Sequence, residues 1–170
     1  MPLVISDAST LIHLAAIARL GLLKEFYDKV IVPPSVWREV VEEGKGRAGG
    51  VEVERARREG WIVVEVIANT PLVQLLYRDL DAGEAEVIAL AVDRRADLVL
   101  MDESEARQVA ARFELKKTGV IGILIRAKRE GKIQSLGAEL DRLRLQAGFW
   151  LDEGLRGQAL GAVGENIQGA

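Results

Sequence analysis

The chain has 170 residues, a net charge of -3, 49% hydrophobic and 29% charged residues, the balance of one globular domain with a full core rather than of a disordered or coiled-coil chain. It holds no cysteine and one histidine, His13, which excludes disulfides, thiolate metal sites, cysteine nucleophiles, paired-histidine catalysis and histidine-rich zinc sites. Hydrolytic chemistry would have to rest on carboxylates, which favour hard cations such as Mg²⁺ or Mn²⁺.

Apolar runs and helical patterns alternate, predicting βα units and a largely parallel sheet. Strand one falls at about residues 2–6 and a helix follows over Ser9 to Leu20, with Leu11, Leu14, Ala15 and Ile17 apolar. Gly21 interrupts it, and Leu22 to Tyr27 adds a short helical turn. Val30 to Val32 is a second strand, ended by Pro33-Pro34; Pro34 suits the start of a helix running through Val41. The glycine-rich, basic stretch 44–50 reads as a loop, Val51 to Glu59 as a charged helix and Trp61 to Ile67 as a third strand.

In the second half, Pro71 to Asp79 reads as a short helix, and Asp81 is placed to cap a helix over Glu84 to Arg95. Leu98 to Met101 is strand four, followed by helices over Ser104 to Phe113, Val120 to Arg129 and Leu136 to Gln146. From Leu151 the pattern weakens, and Gly157, Gly161, Gly164 and Gly169 point to a poorly ordered end or a segment that needs a partner. The chain therefore divides into a single domain over 1–150 and a C-terminal segment over 151–170. The N-terminus lacks the basic start of a signal peptide. The apolar-looking stretch Leu11 to Leu23 contains His13 and Arg19 and is too short to span a bilayer, so a cytoplasmic protein without a membrane attachment is expected.

Chemistry concentrates at strand ends. Asp7 follows Leu3-Val4-Ile5-Ser6, and Asp102 follows Leu98-Val99-Leu100-Met101. Ligands of open α/β sheets bind just beyond the carboxyl ends of the strands, so these two acids are expected to meet there. Each also has a plainer reading, Asp7 as a helix cap and Asp102 as part of an acidic helix start. At roughly 100° per residue, Glu84 falls opposite Glu86 and Asp93, which mark a wet face, and among Val87, Ile88 and Ala91. A carboxylate there needs a partner or a metal, or else it lies in the first turn among free N–H groups. Periodicity does not single out Glu39 from the solvated acids Glu42 and Glu43. Ser9 and Thr10 read as helix caps, His13 as a hydrogen-bonded core residue, and Trp37, Trp61 and Trp150 as core rather than base-stacking platforms.

Taken together, Val4-Ile5-Ser6-Asp7-Ala8-Ser9, Val32-Pro33-Pro34-Ser35-Val36-Trp37-Arg38-Glu39, Gly83-Glu84-Ala85-Glu86-Val87-Ile88-Ala89-Leu90-Ala91 and Leu100-Met101-Asp102-Glu103 resemble a PIN domain. The stretch Thr118-Gly119-Val120-Ile121-Gly122-Ile123-Leu124, then Ala127-Lys128-Arg129-Glu130-Gly131, is similar to the VapC-like PIN proteins of prokaryotic toxin–antitoxin loci. The likeness runs from about residue 3 to 150.

The resemblance implies a three-layer α/β/α sandwich with a central parallel sheet. It implies a ribonuclease whose carboxylates hold Mg²⁺ or Mn²⁺, restrained by a small antitoxin and often homodimeric. Carried across, Asp7, Glu39 and Glu84 match the first three family acids, and Asp102 or Glu103 the fourth. Many relatives place that acid after a Thr-x pattern, and Met101 stands where the Thr would be; Asp102 is favoured because it directly follows the strand. Asp7, Glu84, Asp102 and Glu103 are then the metal ligands. Ser9, Arg107, Lys116 and Lys117 are the candidate substrate contacts, with Arg47 in its loop as a further one. Each of these cations also reads as an ordinary solvated charge. Leu155, Leu160 and Val163 are expected to be exposed for a partner. A PIN-like binding module without useful catalysis is the alternative. A phosphatase of the haloacid-dehalogenase type would want Asp where Ser9 stands, and no Walker or dinucleotide loop is present.

Overall fold

The computed structural model describes residues 1–165. Five short parallel strands form one sheet: β1 (Val4–Ser6), β2 (Val30–Val32), β3 (Ile62–Val64), β4 (Leu98–Leu100) and β5 (Lys117–Thr118), in the order β3-β2-β1-β4-β5. The register sets Ile5 against Ile31 on one side and against Val99 on the other. Ile5, Val30, Val32, Val99 and Leu100 are wholly buried, as apolar runs must be in a parallel sheet covered on both faces. From β1 the chain steps outward to β2 and β3, then returns past β1 to β4 and β5. With right-handed crossovers, that reversal puts the helices of the two halves on opposite faces. The result is the α/β/α sandwich expected from the sequence.

The helices are α1 (Ala8–Ala16), α2 (Gly21–Tyr27), α3 (Pro34–Trp37), α4 (Gly50–Arg58), α5 (Thr70–Leu76), α6 (Ala82–Arg94), α7 (Ser104–Arg112), α8 (Val120–Arg129), α9 (Leu136–Ala147) and α10 (Glu153–Ala162). Helix α6 lies against β1 and β4, while α1 packs with α8 and α9. Along α1, Leu11 and Leu14 are fully buried and Ile17 follows them into the core, each side chain contributing about 1.5–3 kcal/mol by leaving water. A partly buried network around Glu139 holds this layer together: Arg19 donates to Glu139 (2.6 Å), and Arg142 donates to the Ile17 carbonyl (2.8 Å).

Several local departures from the sequence reading bear on the site. Helix α1 stops four residues before Leu20, because Ala18 adopts a left-handed conformation (φ 57°); Gly21 opens α2 rather than interrupting a helix. The helix from Pro34 is α-helical only to Trp37 and continues as a π-helical turn over Arg38–Glu42, with the Glu43 N–H donating to the Arg38 carbonyl. Strand β5 has no counterpart in the sequence pattern: two residues carry no alternation to read. Where no regular element was expected, α10 forms and seats Ala159 and Leu160 in the core. Leu160 is therefore not an exposed contact residue, Val163 is half-buried, and Leu155 alone of the three is exposed. Gly169 and the rest of 166–170 lie outside the described residues. No helix among the described residues is long and apolar enough to cross a membrane.

Candidate functional site

The strand order changes direction between β1 and β4, and the loops leaving these strands flank the crevice where open α/β sheets bind ligands. Asp7 leaves β1 and Asp102 lies just beyond β4. The ladder continues one step past the strands, the Asp7 N–H donating to the Leu100 carbonyl (3.0 Å), so the two loops leave the sheet side by side. Asp7 caps α1, its Oδ1 accepting from the Thr10 N–H (3.0 Å); its Oδ2 accepts from the Asp102 N–H (3.4 Å). Asp102 in turn accepts from the Val120 N–H at Oδ1 (2.8 Å) and meets His13 Nδ1 at Oδ2 (2.8 Å). The plain reading of Asp7 as a cap and the reading that pairs it with Asp102 are thus both realised in one side chain.

This inner pair is electrostatically tense. Asp7 is 2% exposed. Burial, joined by the charge of Asp102 and only partly offset by the Thr10 N–H, pushes its carboxyl up to about 7. The nearby Thr10 hydroxyl is buried without a hydrogen-bond partner. The backbone presses close as well: a Cβ at Gly119 would stand 2.3 Å from Asp102 Oδ1 and 3.0 Å from the Met101 carbonyl oxygen. Only glycine lets α8 begin against this carboxylate.

A second acidic group stands on α6, the π turn and the start of α7. Asp81 and Glu84 form a reciprocal cap, the Glu84 N–H donating to Asp81 (2.9 Å) and the Asp81 N–H to Glu84 (3.3 Å). Glu84 is half-buried, and its carboxyl is raised by burial and by the charges of Asp81, Glu103 and Glu39. Glu39 is raised by burial, Asp81 and Glu43. The π turn that carries Glu39 is a form frequent at functional sites. Glu86 does not mark a wet face: it is 8% exposed and accepts from the Ser35 N–H (3.1 Å) and hydroxyl, holding the start of α3.

The two groups bear differently on a cation. The inner pair suits a hard divalent ion, since it offers only oxygen donors and a buried carboxylate lacking a compensating charge. Among the described residues, however, no three carboxylate or imidazole groups stand close enough to hold an ion together. The acids expected to converge stand instead as the pair Asp7–Asp102 and the group around Glu84. His13, read from the sequence as a core residue, is half-buried and touches both Asp102 and, edge-on, the Phe149 ring (4.9 Å between centroids). Spacing offers no signal for it, since at about 100° per residue six positions turn His13 roughly 120° away from Asp7.

Beside Asp102 opens a groove of about 930 Å³ lined by Arg107, Lys117, Thr118 and Trp150 among others. Arg107 is anchored by donating to the Met101 carbonyl (3.0 Å). Lys117 is half-buried on β5, whereas Lys116 and Arg47 are exposed. Ser9 is half-buried at the start of α1. Trp61 is in the core and Trp37 is half-buried beneath Arg57, but Trp150 is 70% exposed, contrary to its reading as a core residue.

The acid pair stands at the switch point of the parallel sheet, where folds of this class bind their ligands. The family model DUF3368, described as a PIN domain, matches residues 3–165, and the chain belongs to the PIN-domain family. No curated protein sequence matches it.

Proposed function

We propose that the protein is a Mg²⁺- or Mn²⁺-dependent endoribonuclease. On this reading it is the toxin of a cytoplasmic toxin–antitoxin pair, homodimeric and silenced by a small antitoxin. The observation that carries the catalytic part is the inner pair: two carboxylates meet at the carboxyl ends of adjacent parallel strands, with Asp7 buried and pushed up to about 7. Asp7 and Asp102 would hold the ion, and Glu84 and Glu103, which stand apart from them, would have to draw in from the outer group to join its ligands. Bound there, the ion supplies Lewis acidity, which lowers the pKa of water to near neutral and offsets charge on the phosphate.

The chain's own residues do the rest. Asp7 gives up its proton near neutrality and then presents a charged carboxylate in a site shielded from water. The Val120 N–H and His13 fix the direction of both Asp102 oxygens before any ligand arrives. Glu39, raised by burial and by Asp81 and Glu43, and Glu84, raised by burial and by Asp81, Glu103 and Glu39, would accept or release a proton near the scissile phosphate. Ser9, Arg107, Lys116 and Lys117 would meet phosphate oxygens.

The test is cleavage of a mixed RNA pool by purified protein with Mn²⁺ or Mg²⁺ against excess chelator, with Asp7→Asn in parallel. Metal-dependent cuts that vanish in the variant are expected. A second reading, an RNA-binding PIN module without catalysis, draws support from the engagement of both Asp102 oxygens; binding of RNA without cleavage under every metal condition would favour it.

A further inference from the structure

The groove beside Asp102 has a use that the acidic centre does not exhaust. It is lined by Asp102, helix α7, the carboxyl end of β5, the start of α8, the segment between α9 and α10, and α10. Its volume, about 930 Å³, lies at the upper end of the range of small-ligand clefts. Apart from Asp102, the charged side chains lining it are Arg107 and Lys117, so beyond the acids its field favours an anion. Thr118 and Gln108 add uncharged hydrogen-bonding groups. Trp150, 70% exposed, lines the groove as well. The Arg144 guanidinium lies over its ring, 4.7 Å from the centroid, and restrains a side chain that would otherwise be free to turn.

Trp150 is tied to the acids through its neighbour. Phe149 meets His13 edge-on, and His13 is hydrogen-bonded to Asp102. An aromatic surface, two cations and a carboxylate of the acidic centre therefore line one continuous cleft. A nucleotide has the complementary parts: a flat base, a sugar with hydroxyls, and an anionic phosphate.

We propose that this groove seats one unpaired nucleotide of the RNA adjoining the scissile phosphate, with its base stacked on Trp150 and its phosphate facing Arg107 and Lys117. The proposal rests on the ribonuclease reading and adds to it a base-stacking residue, Trp150, and the cleft that holds it. An unpaired base can reach the ring, whereas a base held in a duplex stack cannot, so the Trp150 contact is made only by an unpaired nucleotide.

The experiment uses the full chain and a short fluorescein-labelled unpaired RNA, followed by anisotropy in excess chelator so that no cleavage intrudes. The same strand annealed to its complement is the comparison, and cleavage of the unpaired strand with Mn²⁺ is measured separately. Trp150→Ala is expected to weaken binding of the unpaired strand by about fivefold or more, as loss of one base–aromatic stack does. Trp150→Phe should restore most of it, and duplex binding should be weak throughout. Leu145→Ala, at another exposed apolar position (82%) outside the groove, should match the wild type.

Equal binding by wild type and Trp150→Ala overturns the groove assignment and, if Mn²⁺-dependent cleavage persists, leaves the nuclease reading standing. Trp150-dependent binding without cleavage supports the groove and removes the nuclease. Absence of binding to any RNA overturns the groove assignment, and capture of a protein antitoxin through Trp150 would then identify the surface as a protein contact.

Discussion

Replacing Asp7 with Asn should make the metal-free protein more stable at neutral pH while removing its proposed activity. Asp7 is pushed from 3.8 to about 7 by burial and by Asp102. Because the folded state binds this proton more tightly than the unfolded chain does, the contribution is fully present below about 3.8 and is lost as pH rises through about 7. At 1.36 kcal/mol per unit, a shift of about three units corresponds to about 4 kcal/mol forfeited above neutrality.

Asn keeps an oxygen for the Thr10 N–H that Asp7 now caps at 3.0 Å. It would lose the longer bond from the Asp102 N–H, at about 1 kcal/mol. A net gain of about 3 kcal/mol at pH 8 translates into a rise in Tm of about 6–12 °C for a domain of this size. The assay is thermal unfolding of both proteins in chelator from pH 4 to pH 8. The advantage of the variant should be full above pH 7, shrink as pH falls, vanish at about pH 4.5 and reverse slightly below that, where only the lost hydrogen bond remains. Added Mn²⁺ should raise the Tm of the wild type alone. Parallel pH profiles for the two proteins, or a variant less stable at pH 8, would refute the claim that Asp7 is an electrostatically strained carboxylate.

Other perturbations test the surroundings of the pair. Gly119→Ala would drive a methyl group into Asp102; Mn²⁺-dependent cleavage should fall more than tenfold, and urea unfolding should show a loss of about 1–3 kcal/mol. Glu86→Ala leaves the buried Ser35 N–H without its acceptor and should cost about 1.5–3 kcal/mol by the same measurement, with no change in metal affinity by calorimetry. Although burial opposes it, the N–H groups of Gly137 and Leu136 and the charge of Lys128 hold the Glu165 carboxyl below its usual range. Its contribution is therefore present above the ordinary glutamate pKa and lost as pH falls through the folded value; Glu165→Gln should lower Tm at pH 7 and have little effect in strong acid.

The sequence exposes the strand-end acids because β1 and β4 are continuous apolar runs, and their meeting follows from the way such sheets are wound. Helix α8 is legible to the residue, with its apolar stripe intact between Gly119 and Gly131. Legibility fails where a regular period is broken or a distant contact decides. Glu39 rides on a π turn and is exposed, as Glu42 and Glu43 are, so no burial pattern separates it from its solvated neighbours. Glu86 looks wet by the same projection and is buried because Ser35, 51 residues earlier, supplies its partners. Glu84 proves to be half-buried in a reciprocal cap, which is the plainer of its two sequence readings. Helix α10 hides behind its glycines: their low helix propensity weakens the local signal, and packing against α8 overrides it. Trp150 could not be told from a core tryptophan, since no pattern around it states which side of the chain faces water.

The sheet itself limits how this molecule can meet others. Its outermost strands are Ile62–Val64 and Lys117–Thr118, a rim of three residues on one side and two on the other. An incoming extended segment would find almost no free backbone ladder to join, and on the β5 side it would have to approach a lysine. Recruitment by strand addition, and runaway pairing of one copy with the next, are both denied a starting point. Whatever docks on this protein must do so through helix faces and clefts, where side chains rather than backbone decide who is admitted.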